Sequence, residues 1–230
     1  MLKKKLSNLL VNLLIRKSTV LSNQKIGENF QLVTIKLSSK KPWFPGQKIQ
    51  IKATASELRS YTPSKWHQDQ RTFETLIYNH KSGPGALWAQ NAVPGLKTQV
   101  VGPRNSLDIR LRTENIIFFG DETSFGLGAI LKDNFTDKKI SFCWEANEFN
   151  DSQAALGHLG LDTISLFLRN PKDTHLNFIK DHIQKIYTDE LIILSGKKTS
   201  IDFLFKQLIS CGIPKEAIMK KMYWGWKGKE

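Results

Sequence analysis

Cysteine is almost missing from this chain: Cys143 and Cys211 are the only two in 230 residues. Two thiols cannot supply the four thiolates of an iron–sulfur cluster, which excludes that cofactor. Both have apolar neighbours and are expected to pack as small hydrophobes rather than to form a disulfide. Histidine is also sparse. His67, His80, His158, His175 and His182 show no zinc-type spacing with one another or with the cysteines. No Gly-x-Ser-x-Gly elbow and no P-loop occurs, and neither an internal repeat nor a low-complexity segment is visible.

Negative charge is in short supply too. Lys plus Arg number 34 against 21 Asp plus Glu, a formal charge of +13. That surplus favours anionic partners such as nucleotide phosphates or an anionic metal chelate. The basic residues are scattered and accompany no nucleic-acid motif, so no nucleic-acid partner is expected. With 40 % hydrophobic residues the composition suits an ordinary globular protein with one or two cores.

A long apolar run is absent as well. After Lys3-Lys4-Lys5, the segment Leu6 to Ile15 is broken by Ser7, Asn8 and Asn12 and is too short to span a bilayer. Arg16-Lys17 follow with no small-residue cleavage site, which argues against a secretion signal. Leu2, Leu6, Leu9, Leu10, Leu13 and Leu14 fall on one helical face, so residues 1–17 are expected to form an amphipathic helix docked on the domain that follows. A weak contact of that helix with a membrane surface is the alternative.

What is present falls into two rhythms. Thr19 to Leu21, Phe30 to Leu37, Lys48 to Ala53, Phe73 to His80 and Thr98 to Val101 are β-favouring runs separated by Gly, Pro and Asn. A short helix is expected after Pro84. Closing those strands into a small antiparallel barrel removes most of their open edges. From Ile116 onward, apolar strands alternate with helices. The strands are Ile116 to Phe119, Ile140 to Trp144, Ile164 to Leu168 and Leu191 to Leu194. The helices are Ser124 to Lys132, Ser152 to Leu159, Thr174 to Tyr187 and Ser200 to Ser210. Uniformly apolar strands alternating with helices indicate a parallel sheet covered on both faces. The expected domains are a barrel at 18–112 and an α/β domain at 113–230.

Four stretches carry chemistry. In Arg59-Ser60-Tyr61-Thr62, side chains projecting to one side of an extended segment would offer a fork for phosphate, a flat face for a ring and a hydroxyl. Upstream lies Trp43-Phe44-Pro45-Gly46-Gln47, a turn. His80-Lys81-Ser82-Gly83-Pro84-Gly85-Ala86-Leu87-Trp88-Ala89 puts glycines and a proline at a helix start, where free N–H groups can receive phosphate. Gly120-Asp121-Glu122-Thr123-Ser124 follows an apolar strand, the usual nucleotide position in an open α/β sheet. Thr123 is the expected helix cap there. Ser124-Phe125-Gly126-Leu127-Gly128 is not the full Gly-x-Gly-x-x-Gly fingerprint. Tyr223-Trp224-Gly225 lies near the end, among lysines.

In this order the motifs resemble the siderophore-interacting proteins, FAD-dependent ferric-siderophore reductases of the ferredoxin-reductase-like superfamily, over about residues 18 to 228. The resemblance implies an FAD-binding barrel followed by an NAD(P)H-binding α/β domain. It implies that Arg59, Ser60, Tyr61, Thr62, Ile77, His80, Gly83, Gly85, Ala86, Leu87 and Trp88 hold FAD. Arg59 would neutralise the diphosphate, Tyr61 would lie against the isoalloxazine and Thr62 would bond near its N5. Gly120, Asp121, Glu122, Thr123 and Ser124 would bind NADPH or NADH, and Tyr223 and Trp224 would touch flavin or nicotinamide. Ala86 and Leu87 depart from the family, which usually has a hydroxyl residue and an Arg there. Glu145, Glu148 and Asp151 disfavour a 2′-phosphate, whereas Arg169, Lys197 and Lys198 could bind one. The implied activity is NAD(P)H-dependent reduction of a ferric siderophore, an anionic chelate, by a cytoplasmic monomer. Two alternatives stand beside it: a flavin reductase serving ferredoxin, a quinone or another acceptor, and a barrel module that binds without catalysis.

Overall fold

The computed structural model describes residues 15–80, 83–109, 112, 114–161 and 165–225. It divides into two compact units, residues 1–106 and 107–230.

The first unit is an antiparallel sheet of seven strands: β1 (Ile15–Ile26), β2 (Phe30–Leu37), β3 (Lys48–Lys52), β4 (Leu58–Tyr61), β5 (Lys65–His67), β6 (Thr72–Tyr78) and β7 (Lys97–Arg104). Their spatial order is β4-β3-β7-β1-β2-β6-β5. One core lies inside, built on Val20, Val33, Ile35, Ile49, Ile51, Phe73 and Val100. Tyr61 on the first strand of that order and Trp66 on the last both pack against it, so the sheet curls round a single core as a barrel does. Helix α1 (Pro84–Asn91) contributes Ala89 to the same core.

The expected helix at residues 1–17 lies outside the described residues except for its last three, and these belong to β1. Residues 15–19 pair with β7 at Val101 to Lys97, and the strand then runs on beside β2. The ladder with β7 overrides the helical spacing at its end. The Phe44–Gln47 turn has Pro45 at its second position and Gly46 at φ +88°, and Gln47 N–H donates to the Phe44 carbonyl at 3.1 Å. It leads into β3 rather than into the Arg59 strand, which pairs with β3 as Ile51 opposite Arg59.

The second unit is a parallel sheet of β8 (Ile116–Gly120), β9 (Ile140–Ala146), β10 (Leu166–Leu168), β11 (Leu191–Lys197) and β12 (Ile218–Trp224), in the order β10-β9-β8-β11-β12. Its helices are α2 (Phe125–Asn134), α3 (Phe149–His158), α4 (His175–Ile186) and α5 (Lys198–Ser210). Ile117, Phe119, Ile192 and Leu194 of one sheet face share a core with α4 and α5. On the other face, Trp144 stacks on Phe142 at 5.3 Å and meets Phe118 and the first residue of α2, Phe125, edge-on or tilted. A Cβ at Gly120 or Gly128 would lie 2.7 or 2.6 Å from the Trp144 ring. Both glycines thus make room for the indole. Cys143 is fully buried, but Cys211 is exposed and does not pack as a core residue. Both are free thiols. Among the described residues no helix is long and apolar enough to cross a membrane.

Candidate functional site

Two groups of side chains, one in each unit, account for the residues singled out by sequence.

In the barrel, Arg59 and Tyr61 share a face of β4, and α1 starts directly against them. A Cβ at Gly85 would overlap the Tyr61 hydroxyl and stand 3.3 Å from Arg59 Cγ, so only glycine permits this approach. Gly83 caps the helix at φ +154°, a backbone region that favours glycine. Pro84 takes the first helical position, and no side chain caps the helix nor does any acid occupy its first turn. The early N–H groups are thus left for an external acceptor. Arg59 is partly exposed and, among the described residues, pairs with Glu57 at 3.3 Å and donates to the Leu58 carbonyl at 3.3 Å. Burial pushes the Tyr61 hydroxyl pKa up, against the opposing charge of Arg59. That phenol stays neutral.

Ser60 is half-buried, and Thr62, one residue past the strand, is buried. Ile77 is 2 % exposed in the barrel core, so its side chain is committed to packing and only its backbone can face a ligand. His80 is exposed with its ring edge-on to Tyr78 at 4.7 Å; Lys81 and Ser82 lie outside the described residues. Ala86 is buried, and Leu87 is half exposed where the family pattern has an Arg. Trp88 is half-buried, packs on the barrel core and walls a cleft of about 550 Å³ with Thr54, Gly83, Pro84, Leu87 and Asn91.

In the α/β unit, the carboxyl ends of the parallel strands converge. Asp121 follows β8, Glu145 lies in β9, Arg169 follows β10, Gly196 lies in β11 and Trp224 ends β12. Asp121, Glu122 and Glu145 are at most 2 % exposed. Arg169 meets all three carboxylates, at 2.8 Å (Glu122), 3.4 Å (Glu145) and 3.5 Å (Asp121). Glu122 also accepts from the Asn147 backbone N–H at 2.7 Å, and Glu145 contacts His175 at 3.0 Å and accepts from Ser200 at 3.1 Å. Burial pushes Asp121 and Glu122 above the usual carboxylate range, opposed by Arg169. Burial acts on Glu145 too, but the bonds from His175 and Ser200 with the Arg169 charge outweigh it and hold Glu145 low. Despite its own burial, Arg169 is held firmly protonated by the three carboxylates.

This network corrects several expectations. Arg169 is engaged and is not free for a 2′-phosphate. Glu145 is buried and cannot repel one at a ribose. Thr123 is not the helix cap: the Asp121 carboxylate accepts from the Thr123 backbone N–H at 2.9 Å and starts a 3₁₀ turn at Glu122–Ser124, and Ser124 precedes α2 with no side-chain cap bond. Ser124 is buried and bonds Ser195 at 2.9 Å, tying the turn to β11. Lys198 pairs with Asp202. Lys197 and Arg169 lie 5.7 and 5.6 Å from the Trp224 ring, and Tyr223 lies beneath Lys221 at 5.4 Å. The roles of His175 and Ser200 went unread in the sequence. A charged residue at the end of three apolar strands was the available signal, since parallel strands bring such ends together. A cavity of about 590 Å³ beside Lys138, Phe142 and His182 lies at the amino end of β9, the wrong end for a nucleotide.

A curled antiparallel sheet with a glycine-started helix, followed by a parallel sheet with a polar carboxyl end, defines the fold of the ferredoxin-reductase-like flavoproteins. Residues 20–107, nearly the whole barrel, match the siderophore-interacting FAD-binding domain family. The chain is similar in fold to a siderophore-interacting protein from Acinetobacter baumannii, with 16 % identity, a TM-score of 0.75 and coverage of 91 % of this chain and 90 % of that one. A siderophore utilization protein from T. fusca gives 15 %, 0.73 and 94 % of each chain. The ferredoxin reductase in carbazole 1,9a-dioxygenase gives 15 % and 0.78, over 91 % of this chain and 69 % of that one. No curated protein matches.

Proposed function

We propose that the protein is an FAD-dependent NAD(P)H oxidoreductase whose electron acceptor is a ferric siderophore. The observation that carries this is the seating of an uncapped helix start on the Arg59–Tyr61 face through Gly85. It leaves N–H donors and a guanidinium side by side, as a pyrophosphate requires. The donor set therefore fits FAD. Arg59 and the N–H groups of Gly85 and Ala86 would hold the diphosphate, and Tyr61 would offer its ring and neutral hydroxyl to the flavin. The cleft walled by Thr54, Leu87 and Trp88 has the size of a small-ligand site and would take the dinucleotide's other ring.

FAD, when bound, supplies hydride acceptance from a pyridine nucleotide and single-electron donation to Fe(III). The chain's part is placement. The strand ends of the second unit bind the nucleotide, and the surplus of positive charge draws an anionic chelate. Fe(II), less charged, is then held more weakly by the oxygen ligands of the chelator.

The purified protein is expected to be yellow, with one non-covalent FAD per chain, and to bleach anaerobically with NADPH or NADH. A colourless protein that added FAD cannot reconstitute leaves only a barrel that binds without catalysis. Reoxidation of the reduced protein by an anionic ferric catecholate, followed by stopped flow, should slow with salt. Screening shortens from ~10 Å at 0.1 M to ~3 Å at 1 M. Fast reoxidation by ferredoxin or a quinone, but by no ferric chelate, assigns the protein to another acceptor.

A further inference from the structure

The strand order β10-β9-β8-β11-β12 reverses direction between β8 and β11, and in open α/β sheets a nucleotide binds beyond the carboxyl ends at such a reversal. In this chain a side chain from the sheet edge crosses that place. Trp224 pairs in register with Lys197 on β11, yet its indole N–H donates at 2.7 Å to Asp121, at the end of β8 on the far side of β11. The ring therefore spans the end of β11. Gly196 makes this possible: at φ +117° it has no side chain, and any Cβ there would collide with the Asp121 carboxylate.

Trp224 is not a loose flap. It is held in the β11–β12 ladder, its N–H is bound to a fully buried carboxylate, and Arg169 and Lys197 attend its ring. Pulling it away would leave Asp121 buried with its indole donor lost, a costly state. The indole nevertheless remains only half-buried.

We propose that Trp224 is a fixed stacking platform for a flat ring of the pyridine nucleotide, and that Asp121 acts as a positioning residue which holds that platform without touching the nucleotide. This rests on the nucleotide reading given above. It reverses the part that the motif Gly120-Asp121-Glu122-Thr123 suggests for Asp121. The carboxylate faces inward to the chain's own tryptophan and arginine, and the ligand meets the tryptophan.

The test is calorimetric titration of the flavin-loaded protein with NAD⁺ and NADP⁺, which bind without turnover. Trp224→Leu should weaken binding of the preferred nucleotide about tenfold, the scale of one aromatic stacking contact. Asp121→Ala should weaken it similarly, whereas Asp121→Asn, which keeps an acceptor for the indole, should stay near the parent. The deciding measurement is the double variant. If Asp121 works through Trp224, adding Asp121→Ala to Trp224→Leu costs no further affinity, because coupled residues are not additive. Additive losses would mean that Asp121 contacts the nucleotide itself, and unchanged or tighter binding by Trp224→Leu would mean that the ring is a bystander or a plug. Either result overturns the proposal. Should Asp121→Ala fail to fold, Trp224→Leu against the parent decides alone. A parent that binds neither nucleotide removes the nucleotide reading as well, and its titration shows this before any variant is made.

Discussion

Arg169→Leu is expected to destabilise the protein by about 3–5 kcal/mol, the usual cost of leaving buried carboxylates without their partner. Arg169 is 9 % exposed at its side chain and is the one guanidinium that meets Asp121, Glu122 and Glu145 among the described residues. The loss should depend on pH in a definite direction. Burial raises Asp121 and Glu122, so each favours the folded state most below its ordinary pKa and gives up that stability as pH rises through its raised folded value. Removing Arg169 takes away the main opposing charge and raises both further. The deficit should therefore be smallest in acid and grow toward neutral pH. Glu145 contributes in the opposite sense: held low, it adds stability above its ordinary pKa and loses it as pH falls through the lowered value. Denaturant melts of parent and variant between pH 4 and 8 check this. A deficit that is the same across that range would show that the three carboxylates do not depend on Arg169.

The second large effect is on the flavin. Arg59→Ala should lower FAD affinity by roughly tenfold to a hundredfold, since a hydrogen bond to a charged group contributes about 1.5–3 kcal/mol. Melting temperature should hardly change, because among the described residues Arg59 makes a partly exposed ion pair with Glu57 and a bond to the adjacent Leu58 carbonyl, contacts of little weight. Gly85→Ala is the companion variant. Its methyl group would displace the Tyr61 ring and press on Arg59 from the helix side, so it should lower FAD content and alter the flavin absorption bands together. Fluorescence titration of the apoprotein with FAD measures both. Parent-like affinity in Arg59→Ala would move the diphosphate to another part of the barrel.

Ala86 and Leu87 bear on the same measurement. Ala86 is buried beneath the helix start and Leu87 is half exposed, so the helix presents backbone donors but no cationic side chain in its first turn. Arg59 then carries more of the diphosphate recognition than it would with an arginine at 87. That is the physical reason for expecting the larger part of the range.

Much was legible from sequence because it is local. The switch from alternating strands to uniformly apolar strands with helices reported two units, since a strand open on one face and a strand buried on both leave different patterns. The helix start at Gly83-Pro84 could be read from φ preferences alone, as could the Pro45-Gly46 turn. Arg59 and Tyr61 could be placed on one face because side chains alternate along a strand.

Other features were set by contacts between distant segments. The first strand begins at Ile15, where helical spacing pointed elsewhere, because the ladder with β7 claims it before β2 joins at Ser18. Gly120 and Gly128 lie in a nucleotide-type stretch, yet they make room for Trp144, and Gly196 makes room for Asp121, side chains that no spacing rule links to them. In the sequence Glu145 and Arg169 stand apart, with opposite preferences for a 2′-phosphate, and Asp121 stands in a nucleotide-type turn. The parallel sheet brings the ends of β8, β9 and β10 together and buries all three, and burial turns scattered charges into one network. Periodicity thus determined the two kinds of sheet, and the order of the motifs carried the resemblance to a flavin-binding family. Only the tertiary fold decided which polar groups face a ligand and which face each other, because strand order joins residues that the chain keeps far apart.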